Sequence, residues 1–373
     1  MKKIVVKSIF LIIVFCSLLA NPHSTRGLKY TCKFSEIGSI EPSISVINLQ
    51  CIDNELAFVL DINNHLMVYN ITEPTNIIEL DSVNLYFPHD IELDLDRNLI
   101  FVTASNGVNI FDYSNPTDLQ LLSVYKNYTH STFIQLHEKL LFVGAEEYGL
   151  QIVNVTDSNT PVLIGNWTDP VGHIGQVYVI DEFIFVATRI PNISGPPTYL
   201  DLKVLNISNP LEITYVSTVD TGGTFNGGAP RAHNNNLVYF NDHAYGLKIL
   251  NFSNPYDVSV VGNFSDGGFY NDVELVDGEI AFLADDYFGL KVVSCHDITN
   301  PLLISSWEHQ WRTLRVIVQS DRVYLATING GVRILSQEII TKEVALHPFL
   351  IVSSLMITYV LLKFKKKKTL ASH

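Results

Sequence analysis

The chain has 373 residues, 47% of them hydrophobic, with 24 Lys and Arg against 38 Asp and Glu for a formal net charge of −14. That is enough apolar material to bury large cores, and the acidic balance argues against nucleic acid or an anionic lipid surface as partner.

At the amino terminus, Lys2, Lys3 and Lys7 precede an uncharged apolar run from Ser8 to Ala20 and then a polar stretch. These are the three parts of a secretory signal peptide, assigned to residues 1–22, and the run is short for a membrane span. TCKFSEIGSI follows from Thr31, an apolar alternation with no neighbour in sequence to pair with.

From there one phrase recurs: HLMVYNITEP at His65, GVNIFDYSNP at Gly107, GLQIVNVTDSNTP at Gly149, YLDLKVLNISNP at Tyr199, GLKILNFSNP at Gly246, GLKVVSCHDITNP at Gly289 and a truncated GGVRILS at Gly330. Their central apolar residues, Val68, Ile110, Ile152, Val204, Ile249, Val292 and Ile334, are spaced by 42, 42, 52, 45, 43 and 42 residues. Such a period belongs to propeller blades or helical arrays. Local pattern selects the first. Ahead of each phrase lies a β-branched and aromatic run (LAFVLD, LIFVTA, LLFVGA, FIFVAT, LVYFND, IAFLAD, RVYLAT), preceded by another alternation such as DIELDL or NDVELV and followed by a fourth such as QLLSVY or SVVGNF. Each unit therefore carries four strands, A to D, and no helical period interrupts them.

The phrase itself is strand C, a capped turn and the start of strand D. Two residues after the central apolar position stand Asn70, Asp112, Asn154, Asn206, Asn251, Ser294 and Ser336, whose side chains can bond a nearby backbone N–H. The Pro that follows in six copies suits a strand start because it cannot donate to a ladder. Gly107, Gly149, Gly246 and Gly289 precede strand C where a tight B–C turn calls for positive φ. Blade seven lacks a proper strand D after Ser336, and the ribbon from Thr31 supplies it, which closes the ring and removes exposed edges. The expected fold is an all-β, seven-bladed β-propeller over residues 28–338, closed by an N-terminal strand.

This combination of apolar strand, Asp-type turn residue and Pro resembles the LVIVD-repeat family over nearly all of residues 30 to 336, with Asn replacing Asp in four copies and leaving the turn chemistry intact. The resemblance implies a β-propeller displayed on a prokaryotic cell surface. It implies fold and location rather than activity.

Candidate chemistry lies in the D–A and B–C loops, which share one face of a propeller around the channel. Counting back twelve residues from Phe101, Phe142 and Phe185 gives His89, His130 and His173, one register in three consecutive blades, with Val46, Gly227, Tyr270 and Arg312 at that count elsewhere. Three imidazoles at a channel mouth can hold a divalent metal such as zinc, or each can satisfy a loop carbonyl. Asp90, Glu146, Glu147, Asp285 and Asp286 stand near them as orienting or ligand-binding groups, joined by Tyr270 and Arg312. No catalytic residue is assigned, because GxSxG, HExxH, P-loop and CxxC patterns are all missing. The insertion RIPNISGPPTYL from Arg189 overhangs the B–C side of blade four.

After a linker at 339–344, ALHPFLIVSSLMITYVLLKF at 345–364 has the length of a bilayer core, and the basic tail 365–373 should stay cytoplasmic. The expected topology is single-pass in the cell membrane, propeller outside. Three of the 24 basic residues fall in the signal and five at Lys363 and beyond, leaving 16 against 38 acidic ones, a net of −22 on the exported part. Outside the signal, Cys32, Cys51 and Cys295 allow one bridge at most, with Cys32 and Cys51 the conceivable pair. Of the N-x-S/T sequons, Asn127, Asn166, Asn192 and Asn263 are glycosylation candidates free of the turn role. Two function classes remain: a binding or adhesion module for an extracellular protein or glycan, and a metal-dependent extracellular hydrolase or oxidase.

Overall fold

The computed structural model describes residues 29–41, 43–126, 133–190, 198–221, 230–243 and 245–342. By its contacts the chain divides into two units, Cys32–Glu338 and the two chain ends, and the first of these is the ring. The expected signal peptide, membrane helix and basic tail lie outside the described residues, as do His130, Asn127 and Asn192. Among the described residues no helix is long and apolar enough to cross a membrane.

Among the described residues twenty-eight strands run in chain order. The first is β1 (Lys29–Ile40). Blade one is β2 (Val46–Ile52), β3 (Leu56–Asp61), β4 (His65–Asn70) and β5 (Ile78–Asn84); blade two is β6 (Ile91–Asp94), β7 (Leu99–Ala104), β8 (Gly107–Asp112) and β9 (Gln120–Tyr125). Blade three is β10 (Phe133–His137), β11 (Leu140–Gly144), β12 (Leu150–Asn154) and β13 (Val162–Trp167); blade four is β14 (His173–Ile180), β15 (Phe183–Ile190), β16 (Thr198–Asn206) and β17 (Thr214–Thr218). Blade five is β18 (Pro230–Asn234), β19 (Leu237–Asp242), β20 (Gly246–Asn251) and β21 (Ser259–Phe264); blade six is β22 (Tyr270–Val276), β23 (Ile280–Asp285), β24 (Gly289–Ser294) and β25 (Leu302–Trp307). Blade seven takes β26 (Arg312–Gln319), β27 (Arg322–Ile328) and β28 (Gly331–Lys342) from the end of the chain and β1 from its beginning, in the order β1-β28-β27-β26. The expected closure is present. β28 continues through Lys342, so four residues assigned to a linker are strand.

Each blade hides its apolar faces against its neighbours. The seven core clusters are all inter-blade: the one around Ile40, Val46, Tyr324 and Ile334 joins blade seven to blade one, and another around Phe282, Val292, Val316 and Leu335 joins six to seven. One strand B aromatic per blade, Phe58, Phe101, Phe142, Phe185, Tyr239, Phe282 and Tyr324, is buried at the same register. Burying such a ring is worth roughly 1.5–3 kcal/mol, so the repeated aromatic is a main source of ring stability.

The repeated phrase behaves as its chemistry requires. Asn70, Asp112, Asn154, Asn206 and Asn251 accept from the backbone N–H two residues on, at 2.7–3.0 Å. Gly246 has φ +100°, and a Cβ there would lie 2.0 Å from the Phe264 carbonyl oxygen. Opposite the central apolar residue of strand C, the register of strand D shifts in blades one to six. The residue at that shift meets the next blade's C–D turn: Ser217 Oγ donates to the Pro255 carbonyl at 2.7 Å, whereas at Gly262 a Cβ would stand 1.7 Å from the Ile298 carbonyl. Cys32, Cys51 and Cys295 are all free and buried, and the conceivable Cys32 to Cys51 bridge is not formed because the two lie in different inter-blade cores.

Candidate functional site

Strand A of every blade faces the axis, so its alternate residues line the channel. In blades two and six the same D-x-E pattern places Asp90 with Glu92 and Asp272 with Glu274 there, and blades five and seven contribute Arg231 and Arg315. Arg315 joins the acids: its Nη atoms lie 3.6 Å from Asp90 and 3.6 Å from Asp272, and its Nε donates to Asn48 Oδ1 at 2.9 Å. Asn48 in turn donates to Asp90 at 2.6 Å, and Arg231 Nε is 3.7 Å from Asp272. The same side chains tie blade to blade. Asp90 accepts from Ile134 N at 3.0 Å, Glu92 from Leu136 N at 3.3 Å, Gln135 from Val179 N at 2.6 Å and Asp272 from Val316 N at 3.2 Å.

This belt sets two guanidinium groups against four carboxyl groups, so Arg315 and Arg231 offset the burial of the glutamates only in part. Burial, and then the charge of Asp90, pushes Glu92 up to about 8; burial and then Asp272 pushes Glu274 to about 7. Burial works against the charge on Arg315, but the surrounding carboxylates hold its pKa above the ordinary value.

The loop face is different in kind. Of nine exposed aromatic residues among the described residues, seven lie in D–A or B–C loops: Tyr86, Phe87, Tyr148, Tyr245, Phe269, Tyr287 and Phe288. Phe87 is held at φ +49°, a region that costs a bulky residue energy, and still presents its ring to solvent. Its amide donates to Asn64 Oδ1 at 3.1 Å and its ring packs edge-on against Tyr86 with centroids 4.9 Å apart.

The residues singled out from sequence fall in several places. His173 opens β14 with Nδ1 3.9 Å from Glu146 and 4.0 Å from Glu147, and Glu146 also pairs with Arg189. His89 is exposed before β6, and its amide donates to the Thr103 carbonyl at 3.0 Å. Among the described residues no group of three or more His, Cys, Asp or Glu side chains is placed to hold a metal ion. Asp90 belongs to the channel belt rather than the rim. Tyr270 is fully buried and donates its hydroxyl to Asp266. Asp285 is buried, accepts from Tyr287 N at 3.3 Å, and burial raises its pKa. Asp286 is buried beneath the half-exposed Arg312, whose Nε donates to it at 2.9 Å, and Asn271 donates to the same oxygen at 3.0 Å. Asn166 and Asn263 are exposed on strands D of blades three and five.

Sequence reasoning missed the belt of Glu92, Arg231, Asp272, Glu274 and Arg315, and also a second series. The strand C position just before the central apolar residue is Met67, Asn109 and Gln151 in blades one to three but Lys203, Lys248, Lys291 and Arg333 in blades four to seven. Those cations are largely buried and pair with Asp169, Asp242, Asp266 and Glu36.

No family model and no curated protein matches the chain. Among solved structures it is similar to the crystal structure of a computationally designed protein, Ika8, at a TM-score of 0.58 and 12% identity, covering 81% of this chain and 99% of that one. At that identity the likeness speaks for the fold alone.

Proposed function

We propose that this protein is a cell-surface binding or adhesion module of the LVIVD-repeat kind, anchored in the membrane by its C-terminal apolar segment, that engages an extracellular protein or glycan through its D–A and B–C loop face. The observation that carries the reading is the placement of exposed aromatic rings: seven of nine stand on that one face, on loops held by a closed ring. Exposed rings cost solvation in the free protein and gain it back on contact, and a rigid scaffold limits the entropy lost when they bind. The channel belt serves the ring, because its charges pair with one another and with backbone amides of the next blade.

Two measurements test this. Impermeant biotin applied to intact cells should label propeller lysines; labelling only after lysis would refute the topology. Adhesion or partner retention by the full chain should fall when Tyr86, Tyr148 and Tyr287 are replaced together by Ser, while the opposite-face change Tyr256→Ser has no effect. Equal retention by all three proteins would refute the loop-face reading.

A further inference from the structure

One strip of the loop face sets three cations against carboxylates of their own. It crosses blades five to seven as a chain of packed groups: His243 to Phe269 at 5.4 Å, Phe269 to Tyr287 at 6.0 Å, and Tyr287 to the Arg312 guanidinium at 6.0 Å. Backbone bonds fix the same loops, Tyr270 N to the His243 carbonyl at 3.1 Å, Asp286 N to the Phe269 carbonyl at 2.7 Å and Thr313 N to the Asp286 carbonyl at 3.2 Å.

Its exposed rings are braced from behind. Lys248 Nζ lies 5.9 Å from the centre of Tyr245 and Lys291 Nζ 5.5 Å from that of Phe288, and both lysines are largely buried while the rings are 44% and 49% exposed. A ring backed by a buried cation presents its other face outward. Each of these cations has its own carboxylate: Lys248 with Asp242, Lys291 with Asp266, Arg312 with Asp286. Burial keeps His243 below its ordinary pKa against the opposing charge of Asp286 and so favours its neutral form. The strip thus carries rigid aromatic platforms and three cations matched by three carboxylates, and burial raises the pKa of its fourth carboxyl, Asp285, toward the neutral form.

Resting on the loop-face reading above, we infer that the ligand of this strip is a neutral glycan, its sugar rings lying on Tyr245, Tyr287 and Phe288 and its hydroxyls meeting the guanidinium of Arg312, which Asp286 holds from below. A basic protein would be drawn instead to uncompensated carboxylates, and an anionic chain would be repelled by the field of the whole molecule. Sugars offer apolar C–H faces with hydroxyls around their edges. That pattern fits rings beside an exposed guanidinium donor.

The test is calorimetric titration of the full chain with neutral hexasaccharides (maltohexaose, cellohexaose, laminarihexaose, hexa-N-acetylchitohexaose), with hexalysine and heparin hexasaccharide as charged probes. We expect saturable binding of at least one neutral sugar, little changed between low and high salt, and weakened about tenfold by Tyr287→Ala or Phe288→Ala. Tyr256→Ala, on the opposite face, should not alter it, and unchanged melting temperatures exclude misfolding as the cause. Failure of every neutral sugar, with hexalysine binding that Tyr287→Ala weakens, would overturn the glycan assignment while the loop face stands. Sugar binding lost in Tyr256→Ala but kept in Tyr287→Ala would overturn both.

Discussion

Replacing Arg315 by Met tests whether the channel belt holds the ring together. The side chain is 12% exposed, sits 3.6 Å from each of two buried aspartates and donates to Asn48 at 2.9 Å. Met fills much of the volume but leaves Asp90 and Asp272 without their shared cation, and breaking a buried pair from one side costs about 3–5 kcal/mol. Over the roughly 300 residues of the ring, an unfolding entropy near 2.1 cal/mol/K per residue turns that into a melting temperature lower by about 5–8 °C. Differential scanning calorimetry at pH 8 reads it directly. The pH dependence supplies a second check. Arg315 also holds Glu92 and Glu274 down, so without it they keep their protons to higher pH in the folded state, and the deficit of Arg315→Met should shrink as pH falls from 8 to 5. Adding Asp90→Asn and Asp272→Asn should recover most of the loss. A drop smaller than about 2 °C at pH 8, or a deficit that does not change with pH, would show that the carboxyl groups of the belt do not depend on Arg315.

Glu92 and Glu274 have folded-state values raised from 4.5 to about 8 and about 7, so their contribution is intact below pH 4.5 and is lost as pH rises through those values. Glu92→Gln and Glu274→Gln should therefore raise stability at pH 8 and leave it nearly unchanged at pH 4; equal effects at both, read by urea titration, would contradict the assignment. Gly262→Ala puts a methyl 1.7 Å from the Ile298 carbonyl and should cost roughly 1–3 kcal/mol by overpacking, while Ser217→Ala, losing one hydrogen bond, should cost about 1 kcal/mol in the same assay. Arg322 donates to the Ile71 and Thr72 carbonyls at 2.9 and 3.1 Å across the seam between blades seven and one. Arg322→Ala should speed hydrogen exchange in β2 and β27 more than in β11, and uniform exchange would mean that the seam is not the weak point of the ring.

Period, strand count and ring closure were legible because the inter-blade cores demand the same apolar residues in each unit. The closure followed from an accounting mismatch: blade seven lacked an outer strand and the ribbon from Thr31 lacked a partner. The site was less legible, and strand A shows why. Counting back a fixed number from the strand B aromatic assumes equal pairing, yet the register of strand A shifts in blades one, four, five, six and seven. The count still reaches the first residue of strand A in blades one, four, six and seven, at Val46, His173, Tyr270 and Arg312, but says nothing of depth: Tyr270 is buried while Arg312 is half exposed. The D-x-E of DIELDL and NDVELV was visible as alternation, but which set of alternate residues faces the axis depends on the closed ring. The strand C cations were written in the repeat as K or R before the central apolar residue, a signal available from aligning the seven units with one another.

Those cations connect the closed ring to its loop face. In blades five and six a buried lysine anchors a carboxylate below the rim and also stands behind an exposed ring, so one residue fixes the loop and orients the platform. Blades one to three have Met67, Asn109 and Gln151 at that position, and the exposed pair Tyr86 and Phe87 is held by mutual packing and a strained backbone instead. A ring built from near-identical units thus acquires a directional face through one repeated position. The chemistry that closes the circle constrains strand B and the strand A belt, and leaves that strand C position and the loops above it free to differ from blade to blade.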